Sequence, residues 1–452
     1  MRAAVVAAAL GLSALVAGCG GPAEMVAGGP VRLTLWETYG EEEHATFLDV
    51  RDAWVKRKHE QDHVDVDLQI SRVPFDGLLP KLKSSCLTGT TPDIARVDYA
   101  HVVPMAYGNA VWELDQVAGL NAGDLDHLRE QYVPAAIDSC LLTLRRKGQV
   151  QRHLYGIPDQ TNCVTLFYNR ALFRASAERI RAAGLDPARP PATWDEFVRY
   201  GEALTDPKAG TYGCALDNTL WWMFPFFNSF GAEILKQDQN GIFTCTLDEP
   251  PAVDAFSLRC DLSLKRHDIQ GTQMPIEAGA WVPGALNKDQ GFLTGRYAMA
   301  FSGPWNLDTF KKGQVDFGVG LVPRGPAGTS STVGGTNMVV FKSCKEARLA
   351  YEFLTYLTSV EVQKTWCSKL GQIPVRPALF DQVDVTGKPE LKVFFEQMKT
   401  ARARPPVPNY DKLEEITNAQ MDLALQGKKA PKDALSDAAA KVNSDVLSAL
   451  RE

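Results

Sequence analysis

Strand-like and helix-like segments take turns between residues 31 and 98 of this chain, and few folds accommodate that order. Val31 to Trp36 alternates in polarity and is β-branched or aromatic at several positions, as a strand requires. Glu41 to Glu60 follows, with Phe47, Val50, Trp54 and Val55 at helical spacing. Val64 to Ile70 alternates again, and Phe75 to Leu87 places Leu78, Leu79, Leu82 and Leu87 on one side of a helix and Lys81 and Lys83 on the other. Gly89-Thr90-Thr91-Pro92 breaks that helix, and Asp93 to Val97 reads as a third strand ending at Asp98-Tyr99. Strand–helix–strand repetition implies an α/β fold with a parallel sheet covered on both faces. At 452 residues the chain exceeds one simple core, which predicts two domains.

The alternation resumes further along. A polar run, Asp159 to Asn162, leads to a hydrophobic strand at Val164 to Tyr168. Thr193 to Glu196 has capping-box spacing, as does Ser343 to Glu346 before a helix at Ala347 to Leu357. Leu220 to Phe230 carries Trp221, Trp222, Phe224, Phe226, Phe227 and Phe230, so it is either deeply buried or lines an apolar groove. From Leu391 onward the tail reads as helical. The most suggestive stretch is Tyr297 to Asn306, a short buried strand stopped by Gly303-Pro304. Trp305 is then presented beyond the strand's carboxyl end, where open α/β sheets place their ligands. Read blandly, Trp305 is one more core aromatic.

Composition narrows the function. Net charge is −6, and no basic run could neutralise several phosphates, so nucleic acid is not an expected partner. Arg2 followed by the apolar run Ala3 to Ala17 reads as a signal peptide, too short to span a bilayer comfortably. Leu15-Val16-Ala17-Gly18-Cys19 resembles the bacterial lipobox, which implies a signal peptide over 1–18, lipidation at Cys19 and a tether over 19–30. Eight further cysteines in an exported chain suggest disulfides; Cys344 with Cys367, and two of Cys214, Cys245 and Cys260, are the expected pairs. No CxxC or Cys/His spacing reads as a metal site, and no cofactor is expected.

Several motifs occur in an order that carries a family resemblance. They are the lipobox, Leu82 to Asp93, Tyr155-Gly156-Ile157-Pro158, Leu166-Phe167-Tyr168-Asn169, Gly303-Pro304-Trp305, Gly334-Gly335 and Ile373-Pro374-Val375-Arg376. Together they resemble the extracellular solute-binding proteins of carbohydrate ABC importers, of the maltose/trehalose-binding type. The resemblance implies a two-lobed, periplasmic-binding-protein-like (type II) α/β fold with a hinge and an inter-lobe cleft. Lobe one would hold 31–145 and 337–378, lobe two 150–332 and 385–452, with the hinge near 146–153, 333–337 and 379–384. It also implies a monomer that captures a di- or oligosaccharide outside the cytoplasm and delivers it to permease subunits driven by a cytoplasmic ATPase.

A sugar offers apolar C–H faces and a rim of hydroxyls, so aromatic plates and polar acceptors and donors should meet in its site. By resemblance Trp305 is the stacking plate, Asp98 and Glu37 accept from hydroxyls, Arg376 donates, and Gly334 and Gly335 admit a close backbone approach. Tyr99, Gln160, Asn162, Trp221 and Trp222 join by position. Thr336 stands where some disaccharide binders have an aromatic, and Asn162 where some have an acid, so no particular sugar transfers. Plain alternatives exist: Asp98 as a turn or cap residue, Glu37 as one of many surface acids, Arg376 as a structural ion-pair partner. A glycosidase would need two carboxylates about 5–10 Å apart, and nothing in the sequence fixes Asp98 and Glu37 so. A glycerophosphodiester or another anionic solute would call for basic cleft residues, and only Arg376, Arg72 and Arg96 offer themselves.

Overall fold

The computed structural model describes residues 29–146, 148–278 and 285–450. The expected signal peptide, the expected lipidation site Cys19 and the expected tether up to residue 28 lie outside them. In chain order the strands are β1 (Val31–Glu37), β2 (Val66–Arg72), β3 (Ile94–Asp98), the hairpin β4 (Leu141–Arg146) and β5 (Gln149–Leu154), β6 (Ile157–Cys163), β7 (Thr165–Asn169) and β8 (Tyr212–Ala215). Two small hairpins follow, β9 (Leu235–Gln237) with β10 (Phe243–Cys245) and β11 (His267–Ile269) with β12 (Thr272–Met274), and then β13 (Tyr297–Ser302), β14 (Phe317–Gly320) and β15 (Val333–Val340).

Two sheets result, one per lobe. Sheet one has the order β2-β1-β3-β15-β6 and sheet two β14-β7-β13-β8. The first three strands of sheet one are parallel, as the strand–helix alternation requires, but β15 runs antiparallel to both β3 and β6. Helices Glu41–Asp62, Ala347–Leu357 and Val360–Leu370 cover sheet one through Phe47, Trp54, Phe353 and Trp366. Sheet two packs on the helices Trp194–Leu204 and Leu220–Ser229. There Trp194 stacks on Phe226 at 4.1 Å, and Phe197 lies parallel to Phe301 of β13 at 6.1 Å.

The crossings between lobes differ from those expected. Arg146 ends β4 and 149–153 belong to β5, its hairpin partner, and β6 belongs to sheet one, so 150–163 leave the expected second lobe. A single residue, Val164, separates β6 from β7. The Ser331 hydroxyl donates to the Val164 carbonyl at 2.7 Å and accepts from its N–H at 3.2 Å. Arg402 N–H donates to the Ser331 carbonyl, and Val333 N–H to the Arg402 carbonyl, each at 2.9 Å. Three crossing strands therefore meet at Val164, Ser331–Val333 and Arg402. The expected third crossing at 379–384 packs instead with lobe one, where Val383 and Val385 are buried and Asp384 N–H donates to Ser368 Oγ. Helix Leu391–Met398 touches both β6 and β7.

All eight described cysteines are free thiols, so the expected disulfides are not formed. Seven are buried and behave as small apolar side chains. Cys140, Cys163, Cys214 and Cys367 each direct Sγ at a nearby oxygen, and burial pushes their thiols up. The two capping boxes also differ. Glu196 accepts from Ala192 N–H and Arg189 rather than from Thr193 N–H, and Ser343 bonds Thr91 while Glu346 becomes the cap of Ala347–Leu357 without a side-chain bond.

Candidate functional site

β13 is buried along its length and delivers Ser302-Gly303-Pro304-Trp305 to the gap between lobes. Gly303 has φ −123°, which any residue adopts, so its role is space and not backbone freedom. A Cβ there would lie 2.0 Å from the six-membered ring of Trp305. The Asn306 amide closes the turn onto Ser302 Oγ at 2.9 Å. Trp305 thus rests on its own strand end and remains 46% exposed, which no core tryptophan would.

Trp305, Pro304 and Asp308 form one wall of a cavity of about 270 Å³, and Glu43, Gln160, Asn162 and Gln372 form the facing wall. A larger hollow, about 560 Å³, lies over residues 377–399 and contains no strand end. Phe380 and Phe395, stacked at 5.0 Å, and several charged residues line it, but every lining residue comes from this one segment and Trp305 is not among them.

The facing wall is a continuous hydrogen-bonded network. Buried Arg96 donates to Asp159 at 2.8 Å, to Thr38 Oγ1 at 2.6 Å and to Gln160 Oε1. Burial works against its charge, but the Asp159 carboxylate outweighs this and holds its pKa above the usual arginine value. Tyr39 donates to Asp159 at 2.7 Å under the same guanidinium, which fixes both rings of contact. Gln160 Nε2 then donates to Glu43 Oε1 at 3.1 Å, Gln372 Nε2 donates to the same oxygen, and Gly40 N–H donates to Oε2 at 2.7 Å. Trp366 Nε1 orients Gln372 through its Oε1 at 2.7 Å. The Asn162 Oδ1 atom is buried and has no hydrogen-bond partner among the described residues.

The expected site residues divide. Trp305, Gln160 and Asn162 come together at the cavity. Trp222 stands beside Trp305 with ring centroids 6.5 Å apart at 65°. Gly334 would, with a Cβ, press Asn162 Oδ1 at 2.5 Å and Trp221 at 2.8 Å. Gly335, at φ +137°, would meet the Gln160 carbonyl at 2.1 Å, and Tyr99 donates to that carbonyl at 2.9 Å. These three residues therefore shape β6 and β15 at their register shift. Asp98 caps the helix Tyr99–Tyr107 through Ala100 N–H and pairs with Arg404, whose guanidinium lies 5.3 Å over Trp221. Burial acts against the Arg404 charge, yet Asp98 raises its pKa.

Of the eleven expected residues, three, Trp305, Gln160 and Asn162, are on the cavity lining, and two of the others are engaged wholly within lobe one. Glu37 is fully buried, accepting from Tyr39 N–H and the His44 ring at 2.6 Å, so it is a structural clip at the end of β1. Arg376 lies within lobe one, its donors taken by the Thr358 carbonyl at 2.7 Å, Tyr132 Oη at 2.9 Å and Gln131, and its plane stacked 3.7 Å over Tyr132. Glu43, Gln372 and Arg404 were not singled out by the sequence. Three consecutive acids at a helix start look like dipole complements. Gln372 directly precedes the Ile373 to Arg376 motif, which is the one local signal that points to it.

Chemically the cavity suits a neutral polyol. The cation on its lining, Lys388, is held by Asp308 at 2.9 Å, so no lining cation among the described residues is free for an anion. Both Glu43 oxygens are acceptors, the role opposite to a proton-donating acid in glycoside hydrolysis. Among the described residues, no helix is long and apolar enough to cross a membrane.

Comparison with known proteins adds the following. The family model described as bacterial extracellular solute-binding protein matches residues 45–364. The crystal structure of the cyclic alpha-maltosyl-1,6-maltose binding protein from Arthrobacter globiformis superposes with a TM-score of 0.74 at 24% identity, over 92% of this chain and 99% of that one, and so shares the fold. The galactooligosaccharide-binding protein of Bacillus subtilis is 22% identical over 84% of this chain and 83% of its own length. The sn-glycerol-3-phosphate-binding periplasmic protein of Salmonella paratyphi A is 23% identical over 79% and 80% respectively.

Proposed function

This chain belongs to the bacterial extracellular solute-binding protein family, and from that premise we propose that it is the sugar-capturing component of an ABC importer. The observation that carries the sugar is Trp305, half exposed over a cavity whose other wall is a preset row of carboxylate and amide groups. The indole offers a face to a pyranose ring, while Glu43, Gln160, Asn162 and Gln372 exchange hydrogen bonds with its hydroxyls. The proposed ligand is a di- or oligosaccharide, the class that the relatives from Arthrobacter and Bacillus are named for.

The mechanism follows from the two lobes. Open and closed forms interconvert about the crossings at Val164, Ser331–Val333 and Arg402, and ligand shifts the balance by its differential affinity for the closed form. The Asp98–Arg404 pair bridges the end of β3 to the aromatic cluster of lobe two, so it reports on closure. The closed monomer, tethered through lipidated Cys19, then docks on permease subunits powered by a cytoplasmic ATPase. The protein itself performs no bond cleavage.

A thermal-shift panel of maltose, maltotriose, galactooligosaccharides and sn-glycerol 3-phosphate tests this. A shift with one of the saccharides, without hydrolysis on thin-layer chromatography, is the expected result. A shift with the phosphate ester alone would move the ligand to the rival solute class, and released monosaccharide would make the protein an enzyme.

A further inference from the structure

Trp305 leans on a neighbour that is itself held by a buried charge. Lys288 is 5% exposed and starts the helix Lys288–Leu293 that leads into β13. Its ammonium lies 4.3 Å from the ring centroid of Trp222, 2.8 Å from Asp289 Oδ1 and 3.5 Å from Asp217 Oδ2. Three elements converge there: the turn after β8, the helix Leu220–Ser229 and the approach to β13. Nearby, Arg259 and Glu277 show what a purely structural buried pair looks like in this lobe. That guanidinium meets both Glu277 oxygens, at 2.5 and 2.8 Å, and its neighbour Ser263, and it ties down Asn218 at 2.8 Å beside Asp217. The Lys288 ammonium instead spends one direction on the face of an indole. Burying a lysine is costly unless its charge is matched, and a hydrocarbon of equal length would fill the same volume without that cost.

We propose that Lys288 is a positioning residue of the cleft, its ammonium locking Trp222 so that Trp222 holds Trp305 at the angle on which the saccharide stacks. The chain of contact is Lys288 to Trp222 to Trp305, with Asp217 and Asp289 fixing the ammonium at its far side. Cation and ring attract because the indole face is electron-rich, and the attraction is strongest where water is excluded. The saccharide part of the inference rests on the function proposed above; the orientation part does not.

The test uses the full mature chain in four forms: wild type, K288M, K288R and W305A. The exciton band of the tryptophan pair in circular dichroism is defined as the wild-type signal minus that of W305A, and it needs no ligand. K288M, which keeps the stem and removes the charge, is expected to lose about half or more of that band, and K288R to retain most of it. Affinity for maltotriose by calorimetry is expected to weaken about tenfold in K288M and at most about threefold in K288R. A K288M protein with the wild-type band, whether or not it melts earlier, overturns the proposal by making Lys288 an ordinary structural ion. Should K288M fail to fold, Asp217→Asn is read by the same band and the same criterion. If wild type binds neither maltotriose nor any other saccharide of the panel, the sugar reading is what fails, and the band still decides the role of Lys288.

Discussion

On the sheet-one side of the cleft nearly every polar group already has a partner: Glu43 accepts from three N–H donors, and Gln160 and Gln372 are each bonded at both ends. On the sheet-two side, Trp305 presents bare indole over a glycine, steadied by another tryptophan. The first wall has its orientation fixed by its own hydrogen bonds, so under the proposed function it would distinguish one hydroxyl pattern from another. The second is tolerant of pattern but supplies buried area. Affinity should therefore reside mainly in the aromatic wall and discrimination in the polar one.

Trp305→Ala gives the sharpest break between the walls. Truncating a central aromatic costs at least ~2 kcal/mol, so affinity for the best saccharide of the panel should fall about thirtyfold or more. The melting temperature should hardly move, because the side chain is half exposed. Affinity unchanged by calorimetry would remove the indole from the site and reverse the comparison.

Arg376→Met separates polar groups of lobe one that face the cleft from those that do not. It strands the Thr358 carbonyl and Gln131 and leaves Tyr132 Oη with Thr358 Oγ1 alone, so stability should drop by about 2–3 kcal/mol in chemical denaturation. Saccharide affinity should stay within about twofold, since the residue lies outside the cavity. A large loss of affinity in a folded variant would restore it to the site. Glu43→Gln sharpens the polar wall itself. The new amide would set its NH₂ either against the Gly40 N–H or against both the Gln160 and Gln372 amide donors, weakening binding about tenfold. The ranking of saccharides should also change, which Trp305→Ala would leave intact; a uniform loss across the panel would deny the polar wall its discriminating role.

How far the sequence reached follows the same division. β1 to β3 and their helices were legible because period-two and period-3.6 patterns are strong where a strand is buried between helices. β13 and Trp305 were legible because Gly-Pro punctuates them. β6 was not, since Ile157 to Cys163 reads Ile-Pro-Asp-Gln-Thr-Asn-Cys and Gln160 finds its partners only in three dimensions, Arg96 and Glu43 lying 64 and 117 residues away along the chain. The strand that carries Gln160 and Asn162 therefore read as a polar run leading to the next strand, and 150–163 were assigned to lobe two. The partners of Arg376 within lobe one, and the pairing of Arg404 with Asp98, escaped the sequence for a related reason. Both arginines are flanked by proline, and flanking residues say nothing about which carboxylate or carbonyl a long guanidinium arm reaches.

The smallest effect sharpens the comparison from outside the cleft. Ion pairs of lobe two are not confined to the cleft, where Asp308 holds Lys388. Arg189 meets Glu196 through two bonds of 2.7 Å at the start of the helix Trp194–Leu204. The Arg189 hydrogen bonds pull the Glu196 carboxyl down to about 2, so it is lowered below its unfolded value. A lowered folded value means that the stability from this group is fully present above the ordinary glutamate range and is lost as pH falls through about 2. The pair is partly solvated and screened, so Glu196→Gln should lower the melting temperature by only about 2 °C at pH 7. The difference from wild type should shrink steadily from pH 5 downward, and saccharide affinity should not change. A difference that persists at low pH would mean the carboxylate acts through shape alone, and a change in affinity would mean that the helix start communicates with the aromatic wall through Trp194 and Phe226.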